Sequence, residues 1–171
     1  MVSTPGPVES DLGWALGAVM RSYLRATTEA VGDVPGGPRG YQVLSAAAGE
    51  PRSQLALAQH LGLDRTVMTY LLDDLERAGL LERRPDPADR RVRRIVLTSA
   101  GGARLCDLER RLAAAEEHLL DPLGPAEREH LRHLLRVLAT RTTQGEDACS
   151  VAQEVQQELA EAGPGPRRGH S

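Results

Sequence analysis

Lysine and phenylalanine are both missing from this 171-residue chain. All of its 21 basic side chains are therefore arginine. With so much alanine, glycine and proline beside them, this reads as GC-rich codon usage, and arginine at any one position says little by itself. Aromatic side chains are scarce: one tryptophan and three tyrosines. Two cysteines, Cys106 and Cys149, are too few for the disulfide framework of a small secreted domain. No run approaches the roughly 18 apolar residues of a membrane span. The opening MVSTPGPVES lacks the basic-then-apolar order of a signal peptide. These absences predict a reducing, cytoplasmic setting. There is no glycine-rich phosphate loop, nucleophile elbow or HExxH, so no enzyme activity and no cofactor are expected.

What is present is uneven charge. The net charge is −3, which by itself gives no sign of nucleic acid. Yet Arg83, Arg84, Arg90, Arg91, Arg93 and Arg94 crowd one short stretch against only Asp86 and Asp89. A confined basic feature on an acidic chain is the footprint expected of a local contact with a polyanion. A solvated charged turn is the alternative, and the neighbouring segments decide between them.

The chain is long enough for one domain with its own core. A loose start over 1–9 precedes a helix over 10–31, with Leu12, Leu16, Val19, Met20, Tyr23 and Leu24 on one face. GDVPGGPRG (32–40) reads as a loop and 41–49 as a short helix. Ser53 caps a third helix to His60, Gly62 breaks it, and Asp64 caps a fourth over 65–78 with Val67, Leu71 and Leu75 inward. Gly79 ends that helix. LLERR, PDPAD and RRVRRIVLT form a β-hairpin whose proline-containing tip is long and projects. Thr98 caps a long helix from 99 to about 121, with Leu105, Leu108, Leu112, Ala115 and Leu119 forming a coiled-coil-like seam. DPLGP breaks it, and a last helix over 126–143 carries Leu131, Leu134, Leu135 and Leu138. The tail over 144–171 is expected to be weakly helical, ending disordered in GPGPRRGHS.

A short helix, a turn containing glycine, a second helix and then a hairpin make a winged helix-turn-helix. The stretch LALAQHLGLDRTVMTYLLDDLERAGLLERRPDPADRRVRRIVLTSAG, with Asp89-Arg90-Arg91 in the wing and LT..G opening the long helix, resembles the MarR family of bacterial transcription regulators. The resemblance covers about 10–143, with a DNA-binding core over 53–98. It implies a mainly α fold: a winged helix-turn-helix with a two-stranded β wing and N- and C-terminal dimerisation helices.

The resemblance further implies that 65–78 is the recognition helix, lying in the major groove. Arg65, Thr66, Thr69 and Tyr70 would face the duplex, with Thr66 and Thr69 donating to phosphates or base edges. The family often has arginine where Tyr70 stands. That ring either faces DNA or lies half-buried on the preceding helix. Arg90 and Arg91 would occupy the wing tip, at a minor groove. Asp89 would hold one arginine in place. Because Arg93 and Arg94 alternate along the second strand, one would face solvent or phosphate and the other pair with Glu82. The terminal helices imply a homodimer presenting two recognition helices to a pseudo-palindromic operator. Trp14, Tyr23, Tyr41 and His118 are the candidate lining of a pocket for a small aromatic or lipophilic effector. The function implied is a ligand-responsive repressor.

Other readings stand beside it. Glu116, Glu117, His118, Glu127, His130 and His133 cluster in sequence, with His130 and His133 one turn apart, as in a zinc-responsive regulator. A constitutive DNA-binding protein with no effector is another. A redox sensor would need a reactive thiol. Cys106, several residues into the long helix and next to Leu105 and Leu108, is expected to be buried and structural.

Overall fold

The computed structural model describes residues 11–142. The expectations for 1–9 and 144–171, including Cys149, fall outside the described residues. The chain divides into two compact units with the boundary between Leu123 and Gly124. The first holds α1 (Leu12–Val31), α2 (Pro38–Ala48), β1 (Arg52–Ser53), α3 (Gln54–His60), α4 (Arg65–Arg77), β2 (Leu81–Pro85), β3 (Arg93–Leu97) and α5 (Ser99–Leu119). The second holds α6 (Pro125–Thr142).

Local side-chain chemistry sets most of these boundaries. Ser53, Asp64 and Thr98 each accept a hydrogen bond from a free backbone N–H at the start of the helix that follows. Gly62 and Gly79 take positive φ after α3 and α4, where a side chain would be strained. One expectation is corrected: the helix α2 starts at Pro38, not 41, because proline at the first helical position costs no hydrogen bond. The two-stranded wing is formed by β2 and β3 as expected, and a third strand joins it, giving the antiparallel order β1-β3-β2. The added strand is only Arg52–Ser53, paired with Ile95 and Arg94.

The core lies where α2, α3, α4 and the base of the sheet meet. Val43, Leu44, Leu57, Leu61, Met68, Leu72, Leu75, Leu81, Ile95 and Leu108 are fully buried there. Each buried aliphatic side chain contributes roughly 1.5–3 kcal/mol. Met68 and Leu72 join the expected Leu71 and Leu75 on the inner face of α4, while Val67 is only partly covered. Leu105 and Leu108 of the α5 seam are buried and Leu112 packs against the core. Cys106 is exposed, which corrects the buried thiol expected: Leu105 and Leu108 take the inward face of α5 and Cys106 falls outside it.

The wing and α5 meet at a close joint. Thr98 Oγ1 donates to the Gly79 carbonyl at 2.6 Å and accepts from Gly101 N–H at 2.9 Å. The Thr98 N–H donates to the Leu80 carbonyl. A Cβ on Gly101 would stand 1.7 Å from that same carbonyl oxygen, so glycine is required. Further along α5, Asp33 accepts from Arg104 at 2.6 Å and from Arg111 at 3.0 Å, tying the turn after α1 to the long helix.

Two apolar stripes are exposed among the described residues. On α1, Leu12, Leu16 and Val19 are more than half exposed, and Trp14 and Met20 are open as well. On α6, Leu134, Leu135 and Leu138 are exposed.

Candidate nucleic-acid interface

Burial of Met68, Leu71, Leu72 and Leu75 rotates the other face of α4 into solvent. That face carries Arg65, Thr66, Thr69 and Tyr70, all exposed. Tyr70 is 67% exposed, which removes the half-buried alternative for its ring. Asp64 caps the helix by accepting from Thr66 N–H at 2.7 Å and Val67 N–H at 3.4 Å. The bond from the Thr66 backbone leads in holding its carboxyl below the ordinary range. Thr69 does not match its expected role as a donor. Its hydroxyl donates to the Arg65 carbonyl at 2.8 Å and accepts from Gln54 Nε2 at 2.8 Å.

In the wing, β2 and β3 pair from Leu81↔Leu97 to Pro85↔Arg93, and residues 86–92 form the tip. Asp86 N–H donates to the Val92 carbonyl and Val92 N–H to the Asp89 carbonyl, each at 2.9 Å. The Asp89 carboxylate accepts from the Arg91 backbone N–H at 3.0 Å. It therefore shapes the turn, which corrects the expectation that it holds an arginine side chain in place.

Ion pairing divides the arginines in two. Arg83 is held by Asp73 and Glu76 of α4, fastening the first wing strand to that helix. Arg84 pairs with Glu82. Arg94 donates from Nε to Asp86 at 2.5 Å, and this bond is the main cause of the lowered Asp86 pKa. Thus Glu82 serves Arg84, and neither Arg93 nor Arg94 reaches it. Arg90, Arg91 and Arg93 are exposed and have no acidic partner among the described residues, and the same holds for Arg65. The basic cluster read from the sequence is thereby cut to the wing tip and its second strand, with one more cation at the start of α4.

Between these groups lies a cleft of about 300 Å³ lined by Ser53, Gln54, Leu55, Ala58, Arg65, Val92 and Arg93. Gln54 was missed in the sequence. Only its position next to the Ser53 cap could have marked it, and its link to Thr69 spans 15 residues.

The four effector candidates fare differently. Tyr23 on α1 and Tyr41 on α2 are partly buried and lie near each other and α5. Burial leads in raising the Tyr23 pKa, followed by the charge of Glu116. Burial also leads for Tyr41, followed by Glu109 and Glu116. These two glutamates, seven residues apart on one side of α5, lie beside the two tyrosines. Trp14 and His118 are exposed, and His118 Nδ1 stands 2.8 Å from Asp121 Oδ2. Among the described residues, no hydrogen bond or ion pair joins Trp14 or His118 to the two tyrosines. Nor, among the described residues, is any group of three or more His, Cys, Asp or Glu placed to hold a metal ion.

Comparison with known proteins agrees with this architecture. The sequence model of the MarR family matches residues 38–92. A putative transcriptional regulatory protein for the hcr operon of Thauera aromatica is 31% identical over 138 residues, covering 78% of this chain and 81% of the relative. Among solved structures, the transcriptional repressor CouR bound to a 23-mer DNA duplex is 30% identical with a TM-score of 0.60, over 81% of this chain and 99% of CouR. CouR from Rhodococcus jostii RHA1 bound to p-coumaroyl-CoA is 29% identical with a TM-score of 0.57, over 79% of this chain and 96% of CouR.

Proposed function

Since the chain belongs to the MarR family of transcriptional regulators, we propose that it is a ligand-responsive repressor, acting in the cytoplasm as a homodimer on a pseudo-palindromic operator. The observation that carries the reading is the sorting of the arginines. Ion pairs neutralise Arg83, Arg84 and Arg94, and leave Arg90, Arg91 and Arg93 on the wing and Arg65 on α4 without acidic partners among the described residues. The recognition helix supplies Arg65, Thr66, Thr69 and Tyr70 to the major groove, and the wing supplies Arg90, Arg91 and Arg93 to phosphate and minor groove.

The open stripes on α1 and α6 support the dimer. A second copy covers apolar surface that a lone chain leaves in water. A two-fold pair of reading heads then meets a two-fold DNA site. The effector class is a small aromatic or lipophilic compound received around Tyr23 and Tyr41, with Trp14 and His118 at its margin. CouR, a relative of this chain, has been captured both with DNA and with p-coumaroyl-CoA. A ligand releases DNA only by binding the DNA-incompetent arrangement of the heads more tightly, and operator DNA then weakens the ligand by the same factor.

The test joins both halves of the proposal. Sequences bound by purified protein are selected from random duplexes, and phenolic and lipophilic compounds are then screened by Trp14 emission, the single tryptophan giving an unambiguous signal. A compound that shifts the emission and lowers operator affinity is expected. Failure to select any duplex overturns the DNA reading. Compounds that shift the emission and leave operator affinity unchanged overturn the effector reading and leave a constitutive DNA binder.

A further inference from the structure

We propose that Gln54 is a specificity-determining residue that reads an adenine in each half-site, and that Thr69 is the positioning residue that aims it. This rests on the DNA-binding reading above and adds a base reader from outside the recognition helix.

The argument starts from one hydroxyl. Thr69 Oγ1 lies 2.8 Å from the Arg65 carbonyl and 2.8 Å from the Gln54 amide. A carbonyl oxygen only accepts, so the one Thr69 proton goes to it. Toward Gln54, Thr69 is then an acceptor, and only the NH2 end of the amide satisfies it. The two ends of a glutamine side chain are told apart by such a network, and here the network allows one orientation. Gln54 Oε1 is turned away from Thr69, leaving one acceptor and one N–H free on the amide. The major-groove edge of adenine offers the complement, an N7 acceptor beside an N6 donor. Thr69, with its proton spent, keeps a methyl group and a lone pair.

Placement supports the role. Thr69 shares the exposed face of α4 with Arg65, Thr66 and Tyr70, so an amide bonded to its hydroxyl stands at that surface. The backbone just before Gln54 is fixed by the short strand Arg52–Ser53 on the inner wing strand. Gln54 also lines the cleft whose other members include Arg65 and Arg93, two cations without acidic partners among the described residues. Phosphates drawn to those two guanidinium groups bring the duplex over the amide. Holding the amide in advance lowers the ordering cost of a two-point contact.

The test is selection from random duplexes with wild type, Gln54→Glu, Thr69→Val and Thr69→Ser, each first checked for a wild-type-like thermal melt. Wild type is expected to select adenine at one position per half-site. A carboxylate only accepts and pairs with the N4 donor of cytosine, so Gln54→Glu is expected to move that position from adenine to cytosine, with adenine preference falling by about tenfold or more. Thr69→Val keeps the shape, removes the hydroxyl, and is expected to blur the same position; Thr69→Ser keeps the hydroxyl and retains the adenine. The proposal is overturned if Gln54→Glu selects the wild-type site unchanged, or binds every sequence more weakly with the preferences intact, as removal of a phosphate contact would do. If wild type selects no sequence, the DNA reading fails with it, a result distinguished by the absence of any preferred site in all four proteins.

Discussion

The division of the arginines makes a quantitative prediction about salt. Each phosphate neutralised by a cation releases counterions, and the slope of log affinity against log salt is about −0.9 per contact on duplex DNA. Counting every arginine from 83 to 94 would put six cations on each wing. The ion pairs leave Arg90, Arg91 and Arg93 there, joined by Arg65 on the recognition helix. Two reading heads with these four cations each give a slope of about −7. Arg91→Ala should flatten it by about 1.8, since each head then neutralises one phosphate fewer, and weaken all sequences alike. The matched control is the double variant Asp86→Asn/Arg94→Gln, which removes a cation together with its own anion and leaves the net charge as it was. Its slope should stay within about 0.5 of wild type, less than one neutralised phosphate is worth. Fluorescence anisotropy with a labelled operator between low and moderate potassium chloride gives all three slopes. The reasoning is refuted if the double variant flattens the slope as much as Arg91→Ala, because paired arginines would then be contacting phosphate.

Other consequences can be checked separately. Val19→Asp places a carboxylate in the exposed stripe of α1 and should give a folded monomer by light scattering, with operator affinity reduced at least tenfold; an intact dimer would move the interface elsewhere. Gly101→Ala drives a methyl group into the Leu80 carbonyl and should cost about 1–3 kcal/mol or more, seen as a fall in Tm; an unchanged melt would show that the α5 joint has slack. The lowered Asp86 pKa makes its tie to Arg94 stabilising above the ordinary carboxyl value of 3.8, and the tie is lost as pH falls through the lower folded value. The Arg94 Nε–H resonance should therefore hold its position from neutral pH down to about that value, then move to where Asp86→Asn places it at every pH; movement well above it would contradict the bond.

Much of this architecture is legible because it is written in local chemistry. Ser53, Asp64 and Thr98 act within three residues of where they stand, and Gly62 and Gly79 act on their own backbone. The apolar period that puts Met68, Leu72 and Leu75 inside also puts Arg65, Thr66, Thr69 and Tyr70 outside. What sequence reading misses depends on pairing at a distance. A two-residue strand has no period, so Arg52–Ser53 is visible only once β3 is beside it. Gly40 reads as a loop residue, yet it lies in α2, and it is glycine there because a Cβ would meet the Pro35 carbonyl at 1.9 Å. The choice of Asp86 over Glu82 as partner of Arg94 depends on the fold of the wing tip, and so does the use of Asp89 on a backbone N–H. Gln54 has no signature of its own; its role depends on a hydroxyl that helix packing brings to it.

The contact between Gly101 and the Leu80 carbonyl has a mechanical consequence. It seats the first turn of α5 directly on the backbone that opens the wing, with Thr98 bonded to both sides. The 21 residues of α5 make an arm roughly 30 Å long. Pivoting at that seat, a tilt of ~5° sweeps the far end through ~2.6 Å for an arm of this length. The same ratio works in reverse: a displacement of a few ångströms far along α5 reaches the wing as a small rotation. Glu109 and Glu116, beside the two tyrosines, lie out along this arm, so a molecule lodged there would push with leverage on the angle at which the wing, on the DNA-binding reading proposed above, presents its arginines to a groove.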